Sequence, residues 1–288
     1  MSAPSAPRAG VLGLGLIGSR VAVRLRDLGF PLSVWNRTAR DFGDALPRPG
    51  ATPPDVARDA EVLQVFVSDD AALRDTVRAL LPALGPRHVV LAHSTVSPRT
   101  VRALAEEVEA SGASFLDAPF TGSRDAAAAG KLAYYVSGSR EALGRARPVL
   151  AASACAIVPF GAIGEASAIK IATNVISAAA TASLAEAVNL LRAQGVDPRL
   201  LAAALEHNAA RSGVTDLKLP CILDADFTPR FSARNMLKDM RLAEELAAPG
   251  RRALIGCMAS LLDAACNNGS ADKDFSVVAT AGSSPPRP

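Results

Sequence analysis

The sequence predicts an α/β domain, with a mostly parallel sheet and helices on both faces, followed by an all-α C-terminal domain that a long helix joins to the first. In the first half, short apolar runs alternate with amphipathic segments of helical length, which is typical of parallel sheets. After Gly164 no convincing strand follows. We therefore predict domains at 1–163 and 164–288.

Five short apolar runs are the predicted parallel strands, at 9–14, 32–35, 62–67, 89–92 and 114–116. Apolar residues recur at helical spacing between them, which predicts helices at 16–28, 71–81 and 99–110. Two more strands, at 132–137 and 155–159, flank a helix near 140–151. Residues 165–194 contain neither Pro nor Gly and are rich in Ala, Ile and Leu, so we expect one long, buried helix. Further helices are predicted at 198–208, 232–246 and 253–267.

The composition limits the class of protein. Of 288 residues, 49% are hydrophobic and 20% charged, which is typical of a globular chain. The net charge of +3 and the lack of a basic stripe argue against nucleic-acid binding. No uninterrupted apolar run approaches the roughly 20 residues that span a bilayer, so no membrane association is expected.

Compartment and metal content follow from the N-terminus and the cysteines. Residues 1–10 lack the apolar segment of a signal peptide. The four cysteines form no C-x-x-C pair and have no zinc-ligand spacing with histidine. We expect a cytoplasmic protein with reduced thiols and no metal site.

A glycine-rich turn follows the first strand and opens the first helix. It fits G-x-G-x-x-G with Gly13, Leu14, Gly15, Leu16, Ile17 and Gly18. In this context the pattern indicates a Rossmann dinucleotide site, where glycines permit a tight turn and close approach of a pyrophosphate to the helix N-terminus. A glycine-rich turn without a ligand is the alternative.

The end of the second strand bears on the choice of cofactor. NAD sites usually carry an acidic residue there, but this strand runs into Asn36, Arg37 and Thr38. An arginine and a hydroxyl suit a 2′-phosphate, so NADP(H) is favoured over NAD(H). The alternative is an arginine solvated in a loop.

Polar residues also follow the fourth and fifth strands, where ligands of open α/β sheets bind. Ser94 and Thr95 come after the fourth strand; Thr121, Gly122 and Ser123 come after the fifth. The alternatives are an ordinary helix cap, for which Ser97 is suited, and a plain loop.

Lys170 stands inside the long apolar helix, and Asn174 lies one turn further along on the same face. A buried lysine can exchange protons near neutral pH. A lysine that extends to the surface is an equally good interpretation from spacing alone. Lys238 and Asp239, taken alone, are an ordinary charged pair on a helix.

Six motifs in order, GLGLIG, WNRT, STVSP, DAPFTGS, GAIGEASAIKIATN and FSARNMLKDMRLA, resemble the β-hydroxyacid dehydrogenase family, which includes the 3-hydroxyisobutyrate dehydrogenases. The chain is most similar to the glyoxylate/succinic semialdehyde reductase branch. The resemblance implies NADPH-dependent reduction of a small aldehyde or keto acid that bears a carboxylate. It also implies a homo-oligomer, a dimer or tetramer, formed through the helical domain.

The resemblance also implies residue roles. Lys170 matches the catalytic lysine, and Asn174 the asparagine that holds the reacting oxygen. Thr95 and Lys238 match positions on the nicotinamide side of the family's site. Arg37 and Thr38 match the residues that contact the 2′-phosphate. Positions that hold or adjoin the substrate match Ser94, Thr121, Gly122, Ser123, Phe231 and Asp239.

Several positions depart from the family pattern and leave the substrate open: Ala92, Ala166, Thr173 and the Tyr134–Tyr135 pair. Oxidation of a 3-hydroxyacid such as 3-hydroxyisobutyrate is the nearest alternative function. Imine reduction and a non-catalytic dinucleotide-binding scaffold are further alternatives, and the presence of Lys170 argues against both. His93 matches no catalytic position, so a structural or solvent-facing role is expected.

Overall fold

The structure is a computed structural model that describes residues 6–280. Residues 1–5, which belong to the segment used above to argue against a signal peptide, lie outside the described residues. The chain forms two compact units, with the boundary between Lys170 and Ile171. The predicted fold class, a Rossmann-like α/β domain followed by a helical one, is confirmed.

The first unit is built on an eight-stranded sheet. Its strands are β1 (Ala9–Leu12), β2 (Leu32–Trp35), β3 (Val62–Val65), β4 (Val89–Ala92), β5 (Ser114–Asp117), β6 (Phe120–Thr121), β7 (Leu132–Gly138) and β8 (Ala154–Pro159). Strands β2, β1, β3, β4 and β5 are adjacent in that order and parallel. Strand β7 runs antiparallel to β5 and β6 and parallel to β8.

Helices connect these strands and cover both faces of the sheet. They are α1 (Gly18–Asp27), α2 (Pro53–Asp59), α3 (Asp70–Leu80), α4 (Pro98–Glu109), α5 (Arg124–Ala128) and α6 (Arg140–Ala151). One apolar core, including Val21 and Leu25 of α1, lies on one face, and a second, including Leu73 and Val101, lies on the other. The chain leaves β1 toward β2 and then returns to β3 on the other side of β1. This reversal is the switch point at which such sheets bind ligands.

Helix α7 (Glu165–Ala193) is the predicted long helix, with 29 residues. It begins in the first unit and continues in the second, which also contains α8 (Leu200–Glu206), α9 (Gly213–Leu223), α10 (Ala233–Leu246) and α11 (Ala253–Ala265). A π-helical turn (Cys266–Ser270) and a 3-10 helix (Phe275–Thr280) complete the described part of this unit.

Helix α7 is the one helix of residues 6–280 that is long and apolar enough to cross a membrane, a test that core helices of soluble proteins also pass. Some of its apolar residues pack within the second unit: Ala178 joins a cluster with α10 and α11, and Leu184 and Val188 join one with α9. Ile176 and Leu190 of the same helix are exposed.

Among the strands and α-helices of the described residues, four were not predicted from the sequence: α2, α5, β6 and α9. Helix α2 begins with two prolines behind a capping box formed by Thr52 and Asp55. Helix α9 begins at Gly213 and contains Pro220. Proline is well tolerated in the first turn of a helix, as in α2, whereas Pro220 lies in the interior of α9, where proline is ordinarily unfavourable.

Candidate active site

The glycine turn lies between β1 and α1, at the switch point of the sheet. Gly13 has a φ of +94°, and a Cβ there would overlap the carbonyl oxygen of Phe66, just beyond β3. A Cβ on Gly18 would overlap the carbonyl oxygen of Gly13. A Cβ on Gly15 would meet nothing within 4 Å, and Gly15 is exposed. Two glycines are therefore required by the fold, whereas Gly15 leaves open space over the turn.

The N-terminus of α1 fits an anionic ligand. Its N-cap position, Ile17, supplies no side-chain hydrogen bond, and its first turn contains no acidic residue. By contrast, α3, α4 and α6 are capped by Asp69, Ser97 and Ser139. An uncapped helix start above a glycine turn offers backbone N–H groups and a partial positive charge to a pyrophosphate. The residues present therefore fit a nicotinamide dinucleotide.

Asn36 links the glycine turn to the loop after β2. Its Oδ1 accepts a hydrogen bond of 2.8 Å from the backbone N–H of Leu14, and its Nδ2 donates one of 2.7 Å to the carbonyl oxygen of Thr38. Arg37 and Thr38 are exposed beside it. Asn36 thus orders the turn and the loop from within the protein, while the two side chains predicted to contact a 2′-phosphate face solvent.

The segment after β4 is held mainly by bonds within the protein. The Ser94 hydroxyl donates to the carbonyl oxygen of Val67 at 2.7 Å and accepts from the Val67 N–H at 3.3 Å. It was expected to face a ligand, and it instead joins the ends of β3 and β4. Ser97 caps α4 by accepting from the Thr100 N–H, as anticipated. Thr95 lies between them and is half-buried.

His93 belongs to the core. Its ring is stacked on Phe66 with centroids 4.3 Å apart, and Nδ1 lies 2.6 Å from the carbonyl oxygen of Ala118. Burial lowers the pKa of His93 to about 4, and the bond to Ala118 only partly opposes this. The imidazole is therefore neutral at neutral pH and donates from Nδ1. Of the two roles expected for His93, structural or solvent-facing, the structural one is confirmed.

The other histidine nitrogen faces the amide of Gln64, also fully buried. Nε2 of His93 lies 3.1 Å from Oε1 of Gln64, and Nε2 of Gln64 has no hydrogen-bond partner among residues 6–280. Since a neutral imidazole donates from one nitrogen only, a turned Gln64 amide would give its NH2 an acceptor in Nε2 of His93. Tyr134, one of the two unusual tyrosines, completes this core with its hydroxyl 2.8 Å from that of Ser153.

Thr121, Gly122 and Ser123 form the turn from β6 into α5. Gly122 has a φ of +134°, and a Cβ there would lie 2.7 Å from Cδ2 of Leu132. Its absent side chain is thus required for packing as well as for any approach of a ligand. Ser123 caps α5 by accepting from the Ala126 N–H at 3.2 Å. Thr121 and Gly122 are exposed.

The start of α7 is tied to the end of β5 by Asp117, which is fully buried. Oδ2 of Asp117 accepts from the N–H groups of Gly164 and Ser167, at 3.2 and 2.9 Å. Oδ1 accepts from the Ser167 hydroxyl at 2.7 Å. Burial raises the pKa of Asp117, while these hydrogen bonds and one from Ser137 oppose the rise. Asp117 was not singled out from the sequence.

Lys170 lies on α7 one turn after Ser167, and only 9% of its surface is exposed. The interpretation as a lysine extending into solvent is therefore wrong. A buried ammonium is costly unless it is paired or gives up its proton. Lys170 is thus held, through the bonds of α7 to Asp117, near the strand that leads into residues 118–123.

In the second unit, three of the predicted residues are brought together. Asn174 donates from Nδ2 to Oδ2 of Asp239 at 2.6 Å, and Nζ of Lys238 lies 3.0 Å from Oδ1 of Asp239. Asp239 is fully buried, Asn174 is nearly so, and 26% of the Lys238 side chain is exposed. Asp239 is therefore a buried carboxylate shared by an amide and an ammonium, and not a residue of a solvated helix face.

Phe231 precedes α10 and is held by a buried ion pair that the sequence did not reveal. Nζ of Lys218 lies 2.7 Å from Oδ1 of Asp274, and Oδ2 of Asp274 accepts from the N–H groups of Arg230 and Phe231. The hydrogen bonds and charge of Lys218 hold the pKa of Asp274 below its usual value despite burial. Phe231 also packs edge-on against Phe275.

Two family models match the chain. Residues 8–164 match the NAD-binding domain of 6-phosphogluconate dehydrogenase, and residues 164–281 match the NAD-binding domain of NADP-dependent 3-hydroxyisobutyrate dehydrogenase. Human mitochondrial 3-hydroxyisobutyrate dehydrogenase is 30% identical over 93% of this chain and 84% of its own length.

Solved structures agree. The Mycobacterium tuberculosis 3-hydroxyisobutyrate dehydrogenase, determined with L-serine, has a TM-score of 0.86 at 26% identity and covers 95% of this chain and 98% of its own. The protein Psf3, in complex with NADP+ and 2-OPP, also has a TM-score of 0.86, at 25% identity over 96% of this chain and 100% of its own. The chain therefore belongs to the 3-hydroxyisobutyrate dehydrogenase family of β-hydroxyacid dehydrogenases and is an NAD(P)-dependent oxidoreductase that acts on CH–OH groups.

Proposed function

We propose that this enzyme reduces a small aldehyde or keto acid bearing a carboxylate, of the glyoxylate or succinic semialdehyde type, with NADPH as the hydride donor. The observation that carries the proposal is Lys170, a buried amine on a helix whose first turn is bonded to the end of β5. The sheet that contains β5 also carries the open glycine turn at its switch point.

Lys170 acts as the general acid in this proposal. When bound, NADPH supplies the hydride to the carbonyl carbon. Lys170 holds a proton at Nζ and donates it to the carbonyl oxygen, which offsets the negative charge that develops there. In the oxidative direction the same amine takes the proton of the substrate hydroxyl.

The remaining roles follow the resemblance. Asn174 holds the reacting oxygen, and Thr95 and Lys238 adjoin the nicotinamide. The segment of Thr121, Gly122 and Ser123 binds the substrate carboxylate through its backbone. Ser94, Phe231 and Asp239 support these groups: the internal bonds of Ser94 favour an ordering role, and Asp239 orients Asn174.

NADP(H) is the proposed cofactor in preference to NAD(H). Arg37 and Thr38 are exposed at the end of β2, beside an Asn36 that is fixed by bonds to Leu14 and Thr38. NAD sites usually have an acidic residue at the end of this strand, which binds the ribose hydroxyls. Here Asn36 and Arg37 stand after β2 instead. A guanidinium there pairs with a 2′-phosphate and gives NADPH the advantage.

Oxidation of a 3-hydroxyacid such as 3-hydroxyisobutyrate is the second candidate, because the relatives named above carry that activity in their names. Initial rates separate the two: glyoxylate and succinic semialdehyde with NADPH or NADH, against 3-hydroxyisobutyrate with NADP+ or NAD+. A higher kcat/KM for an aldehyde acid with NADPH supports the proposal. A higher value for 3-hydroxyisobutyrate favours the alternative, and turnover of imines alone or of no substrate contradicts both.

We further propose that the protein is a cytoplasmic homo-oligomer, a dimer or tetramer associated through its helical domain, with domains at 1–163 and 164–288 and no nucleic-acid or membrane partner. Exposed apolar side chains on this unit, including Ile176, Leu190 and Leu254, support association. Light scattering of the purified chain tests the oligomeric state, since a monomer at micromolar concentration would contradict it.

A further inference from the structure

The first turn of α7 is capped from outside the helix. Four N–H groups at a helix start have no partner within the helix. Here those of Gly164 and Ser167 donate to Asp117, that of Ala166 donates to the Ser137 hydroxyl at 3.3 Å, and that of Glu165 donates to the carbonyl oxygen of Ala162. Three of these four N–H groups are thus capped by side chains of β5 and β7.

The carboxylate of Asp117 is buried and accepts four hydrogen bonds, three at Oδ2 and one at Oδ1. Its two oxygens accept from Gly164, from Ser137 at 3.3 Å and twice from Ser167. A carboxylate has about four lone-pair positions, and none of the Asp117 side chain is exposed. Because no part of the side chain is open to a ligand, any effect of Asp117 on the reaction passes through the residues it holds.

The residue held most directly carries the proposed chemistry. Ser167 precedes Lys170 by three positions on the same helix, or about one turn. A helix is stiff over one turn, so a shift of Ser167 displaces Lys170 by a similar distance. At the other end, Asp117 closes β5, where it is paired with Ala92 of β4 and Ser137 of β7. Asp117 thus joins a fixed point of the sheet to the turn that bears the lysine.

We propose that Asp117 is a positioning residue, which sets the place of Lys170 by capping α7 from β5. This proposal rests on the proposed function, because it assigns a consequence for catalysis. A negative charge at a helix N-terminus also stabilises the helix, so the test must separate positioning from stability alone.

The first test compares Asp117→Asn and the milder Ser167→Ala with a matched core variant. Val149→Ala on α6 removes fully buried atoms of the same unit without touching the cap. We expect kcat to fall roughly 10- to 100-fold for Asp117→Asn, as for a displacement near 1 Å, with a smaller fall for Ser167→Ala. In both cap variants the Kd for NADPH should stay within about twofold of the wild-type value. Val149→Ala should lower Tm without lowering kcat. Folded cap variants with the kcat of the wild type would overturn the proposal.

A double-mutant cycle asks whether the effect passes through Lys170. In the Lys170→Ala background, Asp117→Asn has no lysine left to displace, so it should change the residual rate by less than about twofold. The same fold-loss in both backgrounds would show that Asp117 acts by another route and would overturn the proposal.

Amide hydrogen exchange keeps this proposal separate from the proposed function. In Asp117→Asn, amides of residues 164–170 should exchange at least tenfold faster, while those of β1 and β4 keep the wild-type rate. Failure of the wild type to turn over any carboxylate-bearing carbonyl would contradict the function but leave this readout intact. Unchanged exchange over 164–170 would overturn the positioning role, whatever the substrate.

Discussion

Asn174 donates a hydrogen bond of 2.6 Å from Nδ2 to Oδ2 of Asp239, a carboxylate with no exposed surface. This bond fixes the orientation of the Asn174 amide, because only its NH2 can donate to a carboxylate. The residue that the resemblance places on the reacting oxygen is therefore oriented by a second buried residue, whose own charge is balanced by Lys238 at 3.0 Å.

We predict that Asn174→Asp makes stability depend on pH. Two carboxyls in direct contact cannot both ionise, so one keeps its proton with a raised pKa in the folded state. In the unfolded chain both ionise near pH 4. The folded state then binds more protons above that pH, and the variant loses stability relative to wild type as pH rises from 4 to 8. Urea unfolding at several pH values measures the unfolding free energy of the variant and the wild type, with Asn174→Ala as the control. A difference between Asn174→Asp and wild type that does not change with pH would contradict the prediction.

The glycines of the turn should respond differently to alanine. Gly13→Ala forces a Cβ onto the Phe66 carbonyl at a φ of +94°, so we expect a loss of about 1–3 kcal/mol or more in unfolding free energy. Gly15→Ala places its Cβ in open space, so the protein without cofactor should keep its Tm while NADPH binding weakens roughly tenfold or more. Thermal unfolding and fluorescence titration check both. Equal Tm losses would refute the distinction.

Arg37→Ala should weaken NADPH binding about 10- to 100-fold and leave NADH binding almost unchanged. The reason is the loss of charge-assisted hydrogen bonds to a 2′-phosphate that NADH lacks. Dissociation constants for both cofactors measure the effect, and Arg147→Ala, an exposed arginine on α6, is the matched control. Parallel weakening of NADPH and NADH would show that Arg37 does not contact the phosphate.

His93 should make the first unit sensitive to acid. Its pKa falls from 6.5 to about 4 through burial, so between these values the unfolded chain binds a proton that the folded chain does not. The contribution of His93 to the free energy of unfolding is therefore fully present above pH 6.5. It decreases by about 3 kcal/mol as the pH falls toward 4. NMR of the imidazole should show no titration above pH 5. Titration near 6.5 in the folded protein would contradict the burial argument.

The features predicted correctly are those with local signatures. The glycine turn, the parallel strands and the long helix each depend on residues close in sequence. Strand β6 and helix α5 were missed because they are short. Helix α9 was missed because Pro220 lies inside it.

The supporting bonds of the candidate site could not be predicted in the same way. Asp117 reaches Gly164 and Ser167 across 47 and 50 positions, and Lys218 reaches Asp274 across 56. No local pattern encodes such pairs. Ser94 shows the converse: its place after β4 indicated a ligand contact, and its neighbour in space, Val67, takes both bonds instead.

The central claim is that the buried amine of Lys170 provides the proton for reduction. Single-turnover oxidation of bound NADPH by succinic semialdehyde or glyoxylate, in wild type and Lys170→Ala, tests it most directly. We predict a rate at least 10²- to 10⁴-fold lower in the variant, with the Kd for NADPH within about twofold of wild type. A variant that binds NADPH normally and oxidises it at the wild-type rate would contradict the account.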